Sequence, residues 1–467
     1  MTAPVLLWFR NDLRLADHSA LQAALAAGAP VLPVYVLDEE GPWAPGAASR
    51  WWLHHSLASL GAGLRARGAD LLLRRGRAAE VIPALAAETG ARAVFTGAPV
   101  EPAERAHDRA VADALGAEGR TLHRVRTTLL FPPEAIRNRG GGPFGVYTPF
   151  AKACLAQPDP PPPLPAPATI PGARGPTSDR LESWGLLPQH PDWAGGLRAT
   201  WTPGESGAAA RLAAFAGKPA DRYGADRDRP DRDGTSMLSP HLHFGELSPG
   251  QVWYAVGRDR TAYIRELLWR EFCQHLLWHH PDMPEMPLRA AFTEMPWRDD
   301  PAGLRAWQRG RTGVPLVDAG MRQLWQIGWV HNRVRMLVGS FLVKHLLLPW
   351  QEGERWFWDT LVDADLGNNA GGWQWIAGCG ADAAPYFRVF NPVLQGRKFD
   401  PDGTYVRRWV PELARLDAKV IHAPWEASDD TLAAAGVTLG RTYPRPIVDL
   451  MGGRDRALAA FAALPKA

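Results

Sequence analysis

The chain has 467 residues, 46% of them hydrophobic and 22% charged, and its formal net charge is +3. This length predicts two or three domains, and this composition excludes a disordered chain. The three cysteines, Cys154, Cys273 and Cys379, are odd in number and widely spaced. They argue against a disulfide framework or a cysteine metal site and favour a reducing, cytoplasmic setting. No segment resembles a signal peptide or a membrane span, so we expect no membrane partner.

Residues 1–131 alternate short apolar runs with helix-like segments. The runs VLLWF, VLPVYVL, ADLLLRRG, ARAVFTG and RTLHRVR predict the strands of a parallel sheet covered by helices. No GxGxxG sequence follows the first run, so the dinucleotide fingerprint of many such domains is missing. We therefore predict a Rossmann-like α/β domain whose ligand this pattern does not identify.

A proline-rich stretch, QPDPPPPLPAPATIPGARGP from residue 157, separates this region from the rest of the chain. It cannot continue a helix, so we predict an interdomain linker over residues 132–204. From residue 205 to residue 467 the apolar pattern has the helical period, and no convincing strand follows. The predicted architecture is an α/β N-terminal domain, a linker and an all-α C-terminal domain.

The stretch GTSMLSPHLHFGELS, which begins at Gly234, places hydroxyls and backbone donors just before a helix. Such a stretch can cap the helix or hold a phosphate, because both tasks use small polar side chains and exposed N–H groups. In the next helix, Glu266 shares a face with Trp269 and stands four residues before Arg270. That pattern also fits a surface ion pair beside a core indole.

A third helix, WVHNRVRMLVGSFLVKHLL, puts Asn332, Met336 and Gly339 along one stripe. An amide, a thioether and a glycine on one face predict either a cavity wall or a loosely packed helix pair. Further on, DADLGNNAGGWQW at residues 363–375 brings acids, amides and indoles together without a histidine, cysteine or serine. The local pattern alone leaves the chemistry of this stretch open.

Eight fragments in order carry a resemblance to a known family: WFRNDLRLADH, VYTPF, GTSMLSPHLHFGELS, ELLWREF, PLVDAGMRQL, GWVHNRVRM, DADLGNNAGGWQW and YFRVFNP. With them the chain resembles the photolyase/cryptochrome family from end to end, and is most similar to the class I bacterial photolyases of cyclobutane pyrimidine dimers. The resemblance implies an antenna-chromophore domain at residues 1–131 and a helical catalytic domain at residues 205–467 that holds a U-folded FAD. It also implies a carbon–carbon lyase that repairs UV-damaged DNA, single- or double-stranded, with light and reduced FAD. We expect a monomer in the bacterial cytoplasm, associated with the nucleoid when bound to DNA.

The resemblance assigns the flavin site to several segments. Asp363 and Asp365 are expected to contact the folded flavin and its adenine side, and Asn369 to place its amide next to the isoalloxazine N5. An amide suits that position because it donates a hydrogen bond without titrating. The other expected FAD contacts are Tyr223, Thr235, Ser236, Met237, Leu238, Ser239, Tyr263, Glu266, Asn332 and Arg335.

Three tryptophans stand where the family has its electron relay. They are Trp373, Trp350 and Trp297, in order from the flavin to the surface. Indoles suit this role because their oxidised radicals are accessible and they pack as hydrophobes. The resemblance therefore implies that light can reduce an oxidised flavin in this chain.

The dimer pocket is assigned in the same way. Glu266 is expected to hydrogen-bond the dimer, Trp269 and Trp375 to sandwich it, and Met336 to fill the remaining wall. A six-four photolyase is expected to carry histidines where this chain has Asn332 and Met336, which favours the cyclobutane dimer. The lesion cannot be reached inside a stacked duplex, so it must be flipped out, as photolyases do with their target bases. The expected DNA contacts are Arg227, Glu266, Trp269, Arg270, Asn332, Arg333, Met336, Trp375 and Gln395.

The chain departs from its family at a few positions. Tyr263 and Cys273 replace more usual aromatic residues, and Ala103 stands where folate-binding relatives tend to have an amide. Glu104 beside it is the expected antenna contact, with methenyltetrahydrofolate, a deazaflavin or nothing bound. We expect no metal site, because the pair His279/His280 at a helix end is more typical of capping.

Two other functions stay open at this point. A cryptochrome-type blue-light photoreceptor has the same fold and flavin site but acts on protein partners. A nucleotide-binding α/β protein with a helical appendage is the weaker alternative, and a preparation without flavin is its expected sign. The complete dimer-pocket set favours repair over both.

Overall fold

The computed structural model describes residues 3–382 and 387–465. Five parallel strands form one sheet in the order β3-β2-β1-β4-β5. They are β1 Val5–Phe9, β2 Val31–Leu37, β3 Leu72–Arg75, β4 Ala93–Gly97 and β5 Thr121–Val125. The predicted α/β domain with a parallel sheet is confirmed.

The sequence explains why these strands lie inside the sheet. Every residue of β1 and β2 is buried, because both faces of a parallel sheet are covered by helices. The covering helices are α1 Ser19–Ala26, α2 Ala47–Arg65, α3 Ala78–Thr89 and α4 Pro102–Ala117. The strand order reverses between β1 and β4, so a crevice opens there at the carboxyl ends of the strands, where ligands of such sheets bind.

Helices dominate the rest of the chain, and the described residues after β5 form no further strand. The helices are α5 Tyr147–Leu155, α6 Gly195–Thr200, α7 Glu205–Ala216, α8 Lys218–Asp226, α9 Ser239–His243, α10 Pro249–Val256, α11 Thr261–His279, α12 Pro301–Gln308, α13 Pro315–Ile327, α14 Asn332–Ser340, α15 Trp350–Thr360, α16 Leu366–Ala377, α17 Pro392–Phe399, α18 Thr404–Trp409, α19 Asp429–Ala434 and α20 Leu450–Ala462. A π-helical turn, Phe341–His345, continues α14, and 3₁₀ turns span Leu181–Trp184, Ala290–Glu294, Pro411–Leu413 and Pro424–Glu426. None of the described helices is long and apolar enough to cross a membrane.

The chain forms two compact units. The first unit comprises Met1–Asp221, Ser236–Pro281 and Val362–Gly367, and includes the sheet. The second unit comprises Arg222–Thr235, Asp282–Leu361 and Asn368–Ala467. The domain boundaries after residues 131 and 204 rest on sequence pattern and remain a prediction.

A buried carboxylate organises the first unit. Glu246 is fully buried and accepts hydrogen bonds from the indole Nε1 of Trp52 at 2.9 Å and the backbone N–H of Gly204 at 2.6 Å. Its other oxygen contacts Nδ1 of His241 at 2.5 Å. A buried carboxylate persists only when it is paired or hydrogen-bonded, so these three donors are what make Glu246 tolerable there.

We predict that Glu246→Ala destabilises the first unit by about 3–5 kcal/mol, because it leaves three buried donors without an acceptor. A thermal melt of the purified protein measures the loss as a lower Tm. The control is Glu118→Ala, since that side chain is 49% exposed and pairs with Arg120 on the surface. Equal Tm changes for the two variants would contradict the structural role of Glu246.

Candidate functional site

The hydroxyl-bearing turn at residues 235–239 is tied to α11. The Tyr263 hydroxyl donates to Oγ of Ser236 at 2.9 Å, and the same Oγ accepts the backbone N–H of Leu238 at 3.3 Å. Burial raises the pKa of Tyr263 to about 12, so this hydroxyl remains a donor at all ordinary pH values. Met237, which lies between Ser236 and Leu238, has a left-handed backbone with φ of +49°. Non-glycine residues adopt this conformation at a cost and are enriched at functional sites.

Helix capping in this stretch is assigned to its last residue. Ser248 accepts the N–H of Gln251, whose side chain returns a hydrogen bond to the Ser248 N–H, a complete capping box for α10. By contrast, α9 begins after Leu238, which offers no side-chain cap. Capping is therefore the role of Ser248, which caps α10. The turn at residues 235–239 remains the predicted phosphate-side segment.

The predicted face of α11 is present, with a backing ring that the sequence did not assign. Trp269 and Glu266 are half-buried, and Trp269 stacks on Tyr147 with ring centroids 3.8 Å apart and planes at 6°. The Tyr147 hydroxyl is fixed in turn by the carbonyl of Arg265 at 2.7 Å. One face of the Trp269 indole is thus covered, and only the other face can receive a ligand.

Arg270 does not form the considered pair with Glu266. Its guanidinium contacts Glu271 at 3.2 Å and donates to the carbonyl of Thr128 at 2.9 Å. Burial raises the pKa of the Glu271 carboxyl to about 7, against the opposing effect of Arg270. This arrangement holds Arg270 toward the α/β sheet, and its predicted contact with DNA remains untested.

Asp365 is oriented by a residue that sequence reasoning missed. The amide of Gln274 donates to both carboxylate oxygens of Asp365, at 2.7 and 2.8 Å. Gln274 lies on α11 and Asp365 precedes α16, so no local pattern joins them. Asp363 is buried, with 8% of its surface exposed. The two predicted carboxylates therefore lie in different surroundings.

A cavity of about 540 Å³ opens at the carboxyl ends of β1 and β4 in the first unit. Its lining includes Asp12, Glu101, Glu104, Asp365 and Arg10. Arg10 pairs with Glu104 at 3.4 Å and makes a second, closer ion pair with Asp108. Burial raises the pKa of Glu101 well above its ordinary value, helped by the charge on Glu104. The cavity containing the predicted antenna residue is therefore rich in carboxyl groups.

In the second unit, the stripe predicted on α14 divides into two parts. Asn332 is exposed and Met336 is half-buried, and the cavity wall predicted there remains a prediction. Gly339 is buried, and a Cβ there would lie 2.9 Å from the Ile376 side chain of α16. The glycine end of the stripe is therefore a close helix contact, not a loosely packed one.

The predicted DNA-contacting arginines already have partners. Arg333 pairs with Asp228 at 2.8 Å and lies 4.5 Å from the ring centroid of Phe399. Arg227 lies 5.4 Å from the ring centroid of Tyr223, the predicted FAD contact on α8. Gln395 is half-buried on α17. Arg335 and Thr235 are also half-buried, and Ser239 is exposed.

The three predicted relay tryptophans differ in burial. Trp373 and Trp350 are 2% and 1% exposed, whereas Trp297 is half-buried. Trp373 packs edge-on against Phe357, at 4.9 Å between centroids, and against Trp307 at 6.2 Å. Sequence reasoning did not single out Trp307 or Phe357. The burial order is the one expected of a path that ends at the surface.

Asn369 and Trp373 are both positioned by α15. The amide of Asn369, which is 7% exposed, donates to the backbone carbonyl of Glu354 at 3.0 Å. Gly353 allows the Trp373 indole to lie against the same helix, since a Cβ there would come within 2.1 Å of the ring. The predicted flavin-facing amide and the inner relay indole thus share one support.

We predict that Gly353→Ala lowers stability by at least about 1–3 kcal/mol, because the added methyl overlaps a buried indole that has no space to move. The matched control is Gly372→Ala on α16, where a Cβ meets nothing within 4 Å. That change should leave Tm unchanged or raise it slightly, since alanine favours a helix. A Gly353→Ala variant that melts like the control would mean that Trp373 does not lie as described.

Trp375 lines a second cavity, of about 410 Å³, in the second unit. Lys344 also lines it, donates to the carbonyl of Arg388 and lies 4.3 Å from the ring centroid of Phe387. Burial, reinforced by the charge of Arg388, lowers the pKa of Lys344 to about 7. No sequence motif identified Lys344.

Comparison with known proteins places these features in one family. The family model described as "DNA photolyase" matches residues 5–168, and that described as "FAD binding domain of DNA photolyase" matches residues 263–463. The chain belongs to the photolyase/cryptochrome family. Its C-terminal part is accordingly an FAD-binding domain, as the sequence predicted.

The relatives of this chain include proteins named as photo-lyases and proteins named as cryptochromes. A deoxyribodipyrimidine photo-lyase of Agrobacterium fabrum is 49% identical, over 100% of this chain and 99% of the relative. Cryptochrome-1 of Arabidopsis thaliana is 38% identical, over 97% of this chain and 69% of the relative. A solved class III photolyase from Agrobacterium tumefaciens is 49% identical with a TM-score of 0.96, over 99% of this chain and 98% of that one. The class I assignment made from sequence is therefore not confirmed.

Proposed function

We propose that the chain repairs cyclobutane pyrimidine dimers in DNA with light, as a deoxyribodipyrimidine photo-lyase. The observation that carries this proposal is the face of α11, where Glu266 stands beside an indole whose other face is covered by Tyr147. A flat apolar surface next to a carboxyl group suits a flipped pyrimidine dimer, which has apolar ring edges and polar base edges.

The residues present fit an FAD. The carboxylates Asp363 and Asp365 accept hydrogen bonds, the 235–239 turn offers hydroxyls and backbone donors for phosphates, and Asn369 offers a non-titrating amide. The remaining proposed contacts are Tyr223, Tyr263, Asn332 and Arg335. Bound FAD, in its reduced form, supplies the electron for repair when light excites it.

In the proposed pocket, Glu266 hydrogen-bonds the dimer and stabilises the charge that the lesion gains. It does so best as a neutral acid, which can donate a hydrogen bond where negative charge develops. Trp269 and Trp375 hold the dimer between apolar surfaces, and Met336 completes the wall. Asn332 and Met336 cannot supply a proton near neutral pH, so a six-four lesion, which needs one, is a poor substrate.

The proposed DNA interface uses arginines and amides, chiefly Arg227, Arg270, Arg333 and Gln395. Their contacts to phosphate make binding depend on salt but little on sequence. The partner is UV-damaged DNA, single- or double-stranded, bound by a monomer. The antenna chromophore, a methenyltetrahydrofolate or a deazaflavin, is proposed to lie near Glu104, where the carboxyl groups of the cavity can accept the N–H donors of either ring.

We predict that light and pre-reduced enzyme restore cyclobutane dimers and leave six-four products unchanged. Illuminating oligonucleotides that carry each lesion and separating the products by chromatography tests this. Glu266→Ala should lower the repair yield, since losing one hydrogen bond to the charged lesion costs about 1–3 kcal/mol. Repair of six-four product alone would overturn the substrate assignment. Repair of neither lesion would favour the photoreceptor function, which the 38% identity to Cryptochrome-1 keeps as the second candidate.

We predict that Trp373→Phe slows or abolishes photoreduction of oxidised FAD and leaves repair by chemically pre-reduced enzyme nearly intact. Phenylalanine keeps an aromatic ring but is much harder to oxidise than an indole. The control is Trp356→Phe, a half-buried indole on α15 that stacks on the exposed Trp325 at 6.0 Å. Equal loss of both activities in Trp373→Phe would show that Trp373 serves repair directly and not the relay.

A further inference from the structure

Glu354 on α15 is a buried acid whose carboxyl group has no hydrogen-bond partner in the part of the chain that the structure describes. Its side chain is fully buried, and neither carboxyl oxygen has a hydrogen-bond partner among residues 3–382 and 387–465. Burial raises the pKa of Glu354 to about 9, and the nearby charge of Glu285 raises it further against the opposing effect of Arg355. At neutral pH this carboxyl therefore carries its proton.

Other buried acids of the second unit are held differently. Asp318 accepts hydrogen bonds from Thr312 and from the hydroxyl of Tyr443. Asp400 accepts two backbone N–H groups, at 2.9 and 3.1 Å. Such networks are what structural buried carboxyls require, and a buried polar group that lacks one calls for another explanation.

The surroundings of Glu354 point to that explanation. Its backbone carbonyl holds the amide of Asn369, and the preceding residue, Gly353, lies against the Trp373 indole. Trp350 is one helical turn earlier, at i−4, on the same side of α15. Glu354 thus lies on the helix that holds the amide assigned to the flavin and supports the indole assigned as the inner end of the relay, and its own carboxyl is buried there.

We propose that Glu354 donates the proton that accompanies photoreduction of the flavin. The inference rests on the proposed FAD site and relay. One electron passes from Trp373 to the flavin, and one proton passes from the Glu354 carboxyl to the flavin, leaving a carboxylate. The carboxylate regains a proton from solvent, and Trp373 regains an electron through Trp350 and Trp297 from an external thiol. Protons and electrons therefore balance over one cycle.

Neighbouring groups are poorer donors. Asn369 does not titrate. The Cys379 thiol is fully buried, and its burial raises its pKa to about 12, with a small contribution from the charge of Glu354. The charged or titratable groups that act on Glu354 are Glu285, Arg355 and Cys379. Of the two buried acids Glu354 and Cys379, Glu354 has the lower pKa and is the better donor.

Infrared difference spectroscopy of the FAD-loaded protein tests the proposal directly. Illumination of oxidised wild-type protein should bleach a protonated-carboxyl C=O band that shifts in D₂O. The band should be missing in Glu354→Gln and present in Glu352→Gln, a control on the same helix with a partly exposed carboxyl. A wild-type band that persists in Glu354→Gln would assign the proton to another acid and overturn the proposal. Absence of any carboxyl signal in wild type would overturn it as well.

The pH dependence of photoreduction gives a second readout. In wild-type protein, the protonated, reduced flavin should appear more slowly as pH rises through about 9. Above that pH the Glu354 carboxyl has lost its proton before illumination. Glu354→Gln should be at least about tenfold slower at neutral pH and show no such inflection. If glutamine disturbs folding, Glu354→Met fills similar space without a polar group, and FAD release on denaturation verifies loading. A Glu354 variant with wild-type rate and inflection would refute the proposal.

The proposed enzymatic function and the proposed proton donor can be contradicted separately. Wild-type protein that is pre-reduced and repairs no dimer contradicts the proposed enzymatic function but leaves the infrared assignment intact. Wild-type protein that repairs dimers while its carboxyl band survives Glu354→Gln contradicts only the proton donor. Wild-type protein without releasable flavin contradicts both.

Discussion

The position of the turn at residues 235–239, the proposed phosphate-side segment, depends on a single buried carboxylate. Glu246 receives donors from α2, from the backbone at Gly204 and from α9, so three distant parts of the first unit converge on its two oxygens. In the neighbouring residue, the carbonyl of Gly245 accepts a hydrogen bond from the buried guanidinium of Arg14. The backbone of Asn11 lies so close to Gly245 that no Cβ fits there. The 235–239 turn, only a few residues earlier, is therefore fixed relative to the sheet and not only to its own helices.

Local sequence was sufficient to predict those elements whose structure depends on their own residues. The strands are continuous apolar runs because helices cover both faces of the sheet, and this pattern is visible without any partner. Conversely, the stacking of Tyr147 on Trp269 and the bidentate contact of Gln274 with Asp365 join segments that are far apart in sequence. No periodicity encodes such pairs. The family resemblance assigned roles to the predicted site residues, but it did not supply the neighbours that orient them.

The same limit explains why Glu354 was missed. In sequence it is one acid in a helix with polar neighbours, and only the fold shows that it is fully buried. The second unit holds other ionisable groups in the same condition: burial lowers the pKa of Lys344 to about 7 and that of His331 to about 4. Desolvation thus favours the neutral form of acids and bases alike.

Two glycines fix the position of Trp373, the indole proposed as the inner end of the relay. Gly353 permits the contact of Trp373 with α15, and a Cβ at Gly339 would lie 3.4 Å from the same ring as well as against Ile376. The inner indole is therefore fixed by the absence of side chains on two helices. Photoreduction is common to repair enzymes and photoreceptors, so this packing cannot distinguish them. The proposed repair function rests instead on the α11 face, where Glu266 stands beside the indole of Trp269, whose other face is covered by Tyr147.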